Sequence, residues 1–381
     1  MQPNPKILIL YANYGDGHMQ VSKALADCFQ KSGANAVLMV DLFAEAHPLM
    51  HAITRFAYLK SSVYSPRLYG WSYALTQNMR SDQSAAKWVN ALGIRKLKEI
   101  ISREKPDAVI NTFPLMSMNE LRKIARLRIP TYTVLTDFVL HRRWLHPHTD
   151  KFFVATEDLK ERLLRENFPA ERISVSGIPI RESFWQPIDN RACLERYGLA
   201  ADKSVVLIMA GAYGVTQHFK MLAKTLLAFA NIQIILVCGK NRALQKKLNA
   251  SFADVPNVHV FGFVEAVHEL MAVSSCMITK AGGVTFAEAL AMRLPVVVFR
   301  PLPGQEKGNA QYFAAKGAAL IATNLYELKE HVHRILADNS LKLQITQAMA
   351  LLQRPLAAKA VVAEILRDLE CGAKSNAVGK V

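Results

Sequence analysis

The chain has 381 residues, 51% of them apolar, which is too long for one ordinary core and enough to bury two. Its five cysteines (Cys28, Cys193, Cys238, Cys276, Cys371) are odd in number and scattered, with no CxxC pair, so a disulfide framework is excluded and reduced, buried thiols in the cytoplasm are expected. A formal net charge of +16 asks for a polyanionic neighbour; no RNP motif, zinc-finger spacing or basic recognition helix points to nucleic acid, which turns the expectation toward a membrane surface.

The opening MQPNPKILILYANYGDGH does not read as a signal peptide, because its short apolar stretch runs straight into a glycine loop. No window reaches about 18 uninterrupted apolar residues, so no spanning helix is expected. The first strand covers 6–11 and meets Asn13-Tyr14-Gly15-Asp16-Gly17-His18. A helix follows with Val21, Ala24, Leu25, Cys28 and Phe29 on one face, and Gly33 ends it. A second strand covers 36–42. Tyr58, Tyr64, Tyr69, Trp71 and Tyr73 then cluster between helices, mixed with Lys60, Arg67 and Arg80, an amphipathic and basic set that suits a membrane interface. Lys87, Arg95, Lys96, Lys98, Arg103 and Lys105 add positive charge, for which a solvated helix face is the default reading. Strands at 107–113, 131–137, 151–155 and 173–176 complete the first series. The proline-bearing stretch 178–189 is the linker. A second series has strands at 204–210, 232–238, 258–261, 276–279, 295–299 and 318–321. After Ser340 two helices remain, the last over about 355–369.

Val- and Ile-rich runs alternating with helices of ten to fifteen residues are the pattern of βαβ units around parallel sheets. The fold class expected is α/β: two doubly wound, Rossmann-like domains facing a cleft, with C-terminal helices. The domains are expected at 1–182 and 183–354, with 355–381 a C-terminal helix and loose tail. Ligands bind such sheets at the carboxyl ends of the strands, so chemistry is sought just after each strand.

After the strand at 276–279 stands Lys280-Ala281-Gly282-Gly283-Val284-Thr285-Phe286-Ala287-Glu288. Glycines at a helix start leave backbone N–H groups uncovered where the dipole favours an anion, so Gly282 and Gly283 suit a diphosphate. Thr285 and Glu288 share a helix face, the hydroxyl within reach of a phosphate and the carboxylate a turn deeper, where it can accept two ribose hydroxyls. The bland alternative is a glycine N-cap with an exposed Glu. After the next strand, a Pro-Gly turn leads into a helix near Gln305, with Gln305, Glu306 and Asn309 within one turn, a set suited to the hydroxyls of a pyranose. Glu in a first helical turn is also favoured by the dipole alone. Gly211 and Tyr213, after the strand at 204–210, can pass close to phosphate. Gly262-Phe263-Val264 can pair its backbone with a base edge while Phe263 packs beside it; a core Phe is the simpler reading.

In the first domain Gly15-Asp16-Gly17-His18 is not GxGxxG, and Asp41 at the second strand's end does not make it a dinucleotide site. Gly17 and His18 sit at a helix start, which lowers an imidazole's pKa and keeps it able to accept a proton. Asp137 at a strand end, with His141 four residues on, forms a second candidate acid–base group, and His141 and Trp144 are candidate substrate-binding residues. His141, His146 and His148 match no zinc spacing, so no metal is expected.

The motifs ANYGDGH (12–18), NTFP (111–114), LTDF with His141 (135–141), SGIPIR (176–181), LIMAGAYG (207–214), ITKAGGVTFAE (278–288) and PLPGQEKGNA (301–310) together resemble glycosyltransferase family 28 across about residues 6–370. Within it the chain is most similar to the bacterial processive diacylglycerol glucosyltransferases, with the plant monogalactosyldiacylglycerol synthases as relatives. Asp16 between two glycines sides with the bacterial branch. The resemblance implies a GT-B fold and an inverting, metal-independent transfer of glucose from UDP-glucose to diacylglycerol. It implies no cofactor, anionic membrane lipid as a partner, and a peripheral place on the inner face of the cell membrane. By resemblance Glu288 holds the ribose, Gly283 and Thr285 the diphosphate, Gln305, Glu306 and Asn309 the sugar, and His18 or Asp137 is the base. A UDP-galactose-dependent or peptidoglycan-type lipid glycosyltransferase and a non-catalytic UDP-sugar sensor are the alternatives.

Overall fold

The computed structural model describes residues 5–34, 36–64, 66–79, 81, 83–209 and 218–378. It divides into two compact units, one made of residues up to 58, 71–182 and 354 onward, the other of 59–70 and 183–353. The elements in chain order are β1 Lys6–Tyr11, α1 Asp16–Lys31, β2 Ala36–Asp41, α2 Leu42–Ala46, α3 Pro48–Tyr64, α4 Pro66–Gln77, α5 Ser84–Ala91, α6 Ile94–Glu104, β3 Ala108–Asn111, α7 Ser117–Ala125, β4 Thr131–Val134, β5 Lys151–Val154, α8 Glu157–Arg165 and β6 Ile173–Val175. After the linker come α9 Asn190–Tyr197, β7 Ser204–Met209, α10 Phe219–Leu226, β8 Ile232–Val237, α11 Arg242–Ser251, β9 Val258–Phe261, α12 Val267–Ala272, β10 Cys276–Thr279, α13 Gly283–Met292, β11 Val296–Phe299, α14 Gln305–Ala315, β12 Ala319–Ala322, α15 Leu325–Ala337, α16 Asn339–Leu352 and α17 Ala357–Val378.

Each unit is built on a six-stranded parallel sheet, ordered β2-β1-β3-β4-β5-β6 in the first and β12-β11-β10-β7-β8-β9 in the second. The expected doubly wound α/β class is therefore what the chain adopts. The middles of β1 and β7 are apolar because helices cover both faces: Ile7, Leu8 and Ile9 of β1, and Val205 to Ile208 of β7, are buried. In each sheet the strand order reverses once, between β1 and β3 and between β7 and β10, and such a reversal opens a crevice at the carboxyl ends.

The strands stop earlier than the sequence pattern indicates. β3 ends at Asn111 and β4 at Val134, not at 113 and 137. The residues beyond them leave the ladder to form the loops of the first crevice, although Thr112 still donates its N–H to Leu10 at 3.0 Å. Asp41 takes no ligand role in this arrangement: its carboxylate caps α2 at the Ala44 N–H (3.0 Å) and holds the Asn13 N–H (2.9 Å). The aromatic run expected between helices stands on helices, Tyr58 and Tyr64 on α3 and Tyr69, Trp71 and Tyr73 on α4. Arg80 lies outside the described residues. On α6 the basic run is largely answered in place: Arg95 faces Glu99 at 3.9 Å, Lys96 faces Glu99 at 3.9 Å and Glu45 at 4.0 Å, and Arg103 meets Glu104 at 2.7 Å. The solvated-face reading holds there.

The last helix is longer than its pattern and runs unbroken through Gly372 to Val378; residues 379–381 lie outside the described residues. It packs along α1 and is fixed to the first unit by Lys151, which reaches Glu364 at 2.8 Å and Asp368 at 3.0 Å. In the second unit α13 and α14 are locked by Phe286 and Phe313, stacked with ring centroids 3.9 Å apart and both at most 1% exposed. Truncation there leaves a ring-sized void. Phe313→Ala is expected to cost about 3–5 kcal/mol of stability, read by chemical denaturation; a loss under about 1 kcal/mol would show that the stack does not hold the two helices.

Candidate functional site

In the first unit the crevice is lined by the loop after β1, the loop after β3 and the loop after β4. Gly15 precedes α1 with an extended backbone, so Gly17 and His18 fall in the first helical turn. The His18 ring is only partly exposed, and its Nδ1 lies 2.7 Å from the Thr112 carbonyl oxygen. A carbonyl can only accept, so Nδ1 carries the hydrogen and Nε2 keeps the lone pair. Burial lowers the imidazole's pKa, while the charge of Asp137 and the bond to Thr112 pull the other way; the net shift is downward. The cause is thus desolvation more than the helix start alone.

The imidazole is held by a buried polar set. Ser22 donates to the His18 carbonyl at 2.9 Å and pairs with the Thr112 hydroxyl at 2.8 Å, and Thr136 stands 3.2 Å from Nδ1. Phe113 meets the ring edge-on at 5.0 Å and Trp144 lies at 6.1 Å. Asp137 is 4% exposed, and its charge reaches both His18 and Tyr73; burial and that charge push the Tyr73 phenol up to about 12.

The other histidines do structural work. His141 accepts the Arg143 N–H at Nδ1 (3.2 Å) and places Nε2 3.4 Å from Thr76; burial and the Arg143 charge bring its pKa down to about 4. It is a neutral cap of the short 3-10 turn Arg142–Trp144. His146 repeats the device at the His148 N–H and sits 3.2 Å from buried Glu120.

In the second unit Gly282 is the N-cap of α13, and among the described residues no side chain caps this helix, whose first turn contains no acid. The N–H groups of its first turn are left for an anion. Thr285 is partly exposed one turn above Glu288, which is 8% exposed and not the open surface carboxylate of the bland reading. Gly304, with φ of 95°, turns the chain into α14, where Gln305 and Glu306 are partly exposed. Asn309 departs from the expectation of a sugar contact: it is fully buried and donates its amide N–H to the Ala281 carbonyl at 3.0 Å. It ties α14 to the glycine loop before α13, because its side chain points across the junction and not outward. Phe263 also departs from the simpler expectation. It is 51% exposed, with the Lys240 ammonium 5.3 Å from its ring, so it is a surface platform at the end of β9 and no core residue; Val264 beside it is partly buried. Gly211 and Tyr213 lie outside the described residues.

Sequence reasoning missed Ser22, Thr136 and Lys280. Lys280 stands directly after β10, 3.7 Å from Glu306, and links the two junctions; its position immediately past a strand was the available signal. Ser22 gave none, since a serine on an apolar helix face has no distinguishing pattern.

Comparison with known proteins covers both units. A family model described as monogalactosyldiacylglycerol (MGDG) synthase matches residues 18–180, and one described as glycosyltransferase family 28 C-terminal domain matches 206–361. A processive diacylglycerol beta-glucosyltransferase of Bacillus cytotoxicus is 42% identical over 369 residues, 97% of this chain and 95% of the relative. One of Bacillus mycoides is 42% identical over 371 residues, with the same shares. Among solved structures, Acinetobacter baumannii MurG aligns with a TM-score of 0.62 at 20% identity over 95% of this chain and 100% of that one. S. aureus MnaA with UDP aligns at 0.64 and 16%, over 96% and 97%. At such identities the structures speak for the fold alone, which is GT-B.

Asn309→Ala removes a buried donor and orphans the Ala281 carbonyl. The expected cost is about 1–3 kcal/mol by chemical denaturation. A variant of unchanged stability would return Asn309 to the role of a ligand contact.

Proposed function

The chain belongs to glycosyltransferase family 28, and on that premise we propose that it transfers glucose from UDP-glucose to diacylglycerol, with inversion at the anomeric carbon, no metal in the chemical step and no cofactor. Repeated transfer gives mono- and diglucosyldiacylglycerol. The observation that carries this reading is the 42% identity to a processive diacylglycerol beta-glucosyltransferase over 97% of the chain.

The first unit supplies the base. The lipid hydroxyl gives its proton to Nε2 of His18 as its oxygen bonds to the anomeric carbon. The bond from that carbon to the diphosphate oxygen breaks, and UDP leaves with the electron pair. Neutral His18 is ready for this at pH 7, and the Asp137 carboxylate stabilises the imidazolium that forms. The second unit holds the donor. Its diphosphate sits on the uncapped first turn of α13 with Gly283 and Thr285, where backbone N–H groups and the helix dipole meet the charge of the leaving group. Glu288 accepts the ribose hydroxyls, Gln305 and Glu306 those of the hexose, and Phe263 with Val264 flanks the base. The domain roles follow: 1–182 for the acceptor and membrane, 183–354 for the UDP-sugar.

The acceptor is a bilayer lipid, and among the described residues no helix is long and apolar enough to cross a membrane. The net charge of +16 supports a peripheral place on anionic lipid at the inner face of the cell membrane.

The direct test is incubation with radiolabelled UDP-glucose, UDP-galactose or UDP-N-acetylglucosamine plus diacylglycerol, followed by lipid extraction. Label is expected in lipid from UDP-glucose; label from UDP-galactose alone, or in no lipid, overturns the reading. His18→Ala is expected to lower turnover about 100- to 10,000-fold. Because burial lowers the His18 pKa, the acidic limb of kcat/KM belongs below pH 6.5, the ordinary imidazole value. Asp137→Asn removes a charge that raises that pKa, so the limb moves further toward acid. A limb above pH 6.5, or near-normal turnover of both variants, contradicts the assignment.

A further inference from the structure

We propose that the outward face of α3 is the element that seats this protein in an anionic bilayer, and that its inward face hangs the His18 loop from that helix. The proposal rests on the reading of the acceptor as a membrane lipid and names the surface that meets the membrane.

The amphipathicity of α3 is reversed. Over its first ten residues the exposed positions are Pro48, Leu49, Met50, Ala52, Ile53, Phe56 and Ala57, with no polar side chain among them. Leu49 is 79% exposed, Ile53 68% and Phe56 64%. The polar residues His51, Thr54 and Arg55 are the ones turned inward. Single exposed apolar residues are ordinary, but a continuous stripe at helical spacing marks a binding surface. On α4 Trp71 at 61% and Leu75 at 59% are likewise exposed, while Tyr73 and Thr76 face inward against His141. At 17 residues α3 is too short to span a bilayer, and an apolar face of this kind lies in the interfacial plane.

Charge selects the occupant. From residue 46 to 81 the sequence has no Asp or Glu, while Arg55, Lys60, Arg67 and Arg80 fall within it. A second copy of the chain would bring two such acid-free, basic segments together. An anionic lipid surface answers them.

The inward side makes the placement consequential. Thr54 bonds the Tyr14 hydroxyl at 2.7 Å, and the His51 ring packs edge-on against Tyr14 at 5.5 Å. His51 also stands 3.6 Å from the Asp41 carboxylate, which holds the Asn13 N–H. Asn13 and Tyr14 lie in the loop that leads into α1, whose first turn carries His18. The depth at which α3 rests therefore sets the depth of the loop that presents the base.

The test is co-sedimentation of the full chain with vesicles of phosphatidylcholine, with and without phosphatidylglycerol, in the absence of donor. The wild type is expected to bind the mixed vesicles more tightly than the neutral ones. A Leu49→Ser, Ile53→Ser, Phe56→Ser triple variant is expected to lose about 100-fold or more in partitioning, with UDP affinity by calorimetry unchanged as the control on folding. Should the triple variant lose UDP binding as well, Ile53→Ser alone decides, with an expected loss of about tenfold. Unaltered partitioning of a folded variant overturns the proposal. So does a wild type that ignores vesicles and self-associates. Binding through α3 without any sugar transfer would sink the proposed function and leave this surface standing.

Discussion

The hydrogen bond from His18 Nδ1 to the Thr112 carbonyl, at 2.7 Å, is the constraint around which the first unit's site is arranged. It joins the two loops that flank the reversal of strand order, and so exists only because β1 and β3 are neighbours. It also sets the chemistry the ring can offer. A carbonyl acceptor fixes which nitrogen is protonated, and burial keeps the ring neutral, so the remaining nitrogen is free to take a proton. Ser22 and Thr112 stiffen the arrangement from beneath, through bonds buried away from water where such contacts are costly to lose.

The second unit solves a different problem with the same topology. It presents two successive strand-to-helix junctions to one region and must hold both in register. The Phe286–Phe313 stack does this through the core, Asn309 does it through its bond to Ala281, and Lys280 with Glu306 does it nearer the surface. The uncapped start of α13 is left open by the same sequence choice: a Gly-Gly pair offers no side chain to compete with an anion for the first-turn N–H groups.

Much of this arrangement is legible in the amino-acid sequence. Strands buried on both faces announce themselves as Val and Ile runs, and β1, β9 and β10 fall on their predicted residues. Glycine loops directly after strands mark both crevices. What escapes the sequence does so for physical reasons. Asn309 looks like its polar neighbours Gln305 and Glu306, and only the direction of its side chain separates a brace from a contact. Phe263 reads as core because phenylalanine usually is; its exposure follows from standing just past an edge strand. The aromatic run over 58–73 reads as lying between helices because the first ten residues of α3 present apolar side chains outward and lack there the polar face by which a surface helix is recognised. The reversed pattern that hides α3 is the same property that gives it a use. The basic run on α6, by contrast, is the weaker membrane signal, since Glu45, Glu99 and Glu104 answer most of it.

Nitrogen-15 NMR of the His18 ring reads directly whether the imidazole is neutral with its lone pair on Nε2, the state a base requires. At pH 7 a neutral ring protonated at Nδ1 is expected, with Nε2 showing the shift of an unprotonated, pyridine-like nitrogen. An imidazolium, or a ring protonated at Nε2, would contradict it.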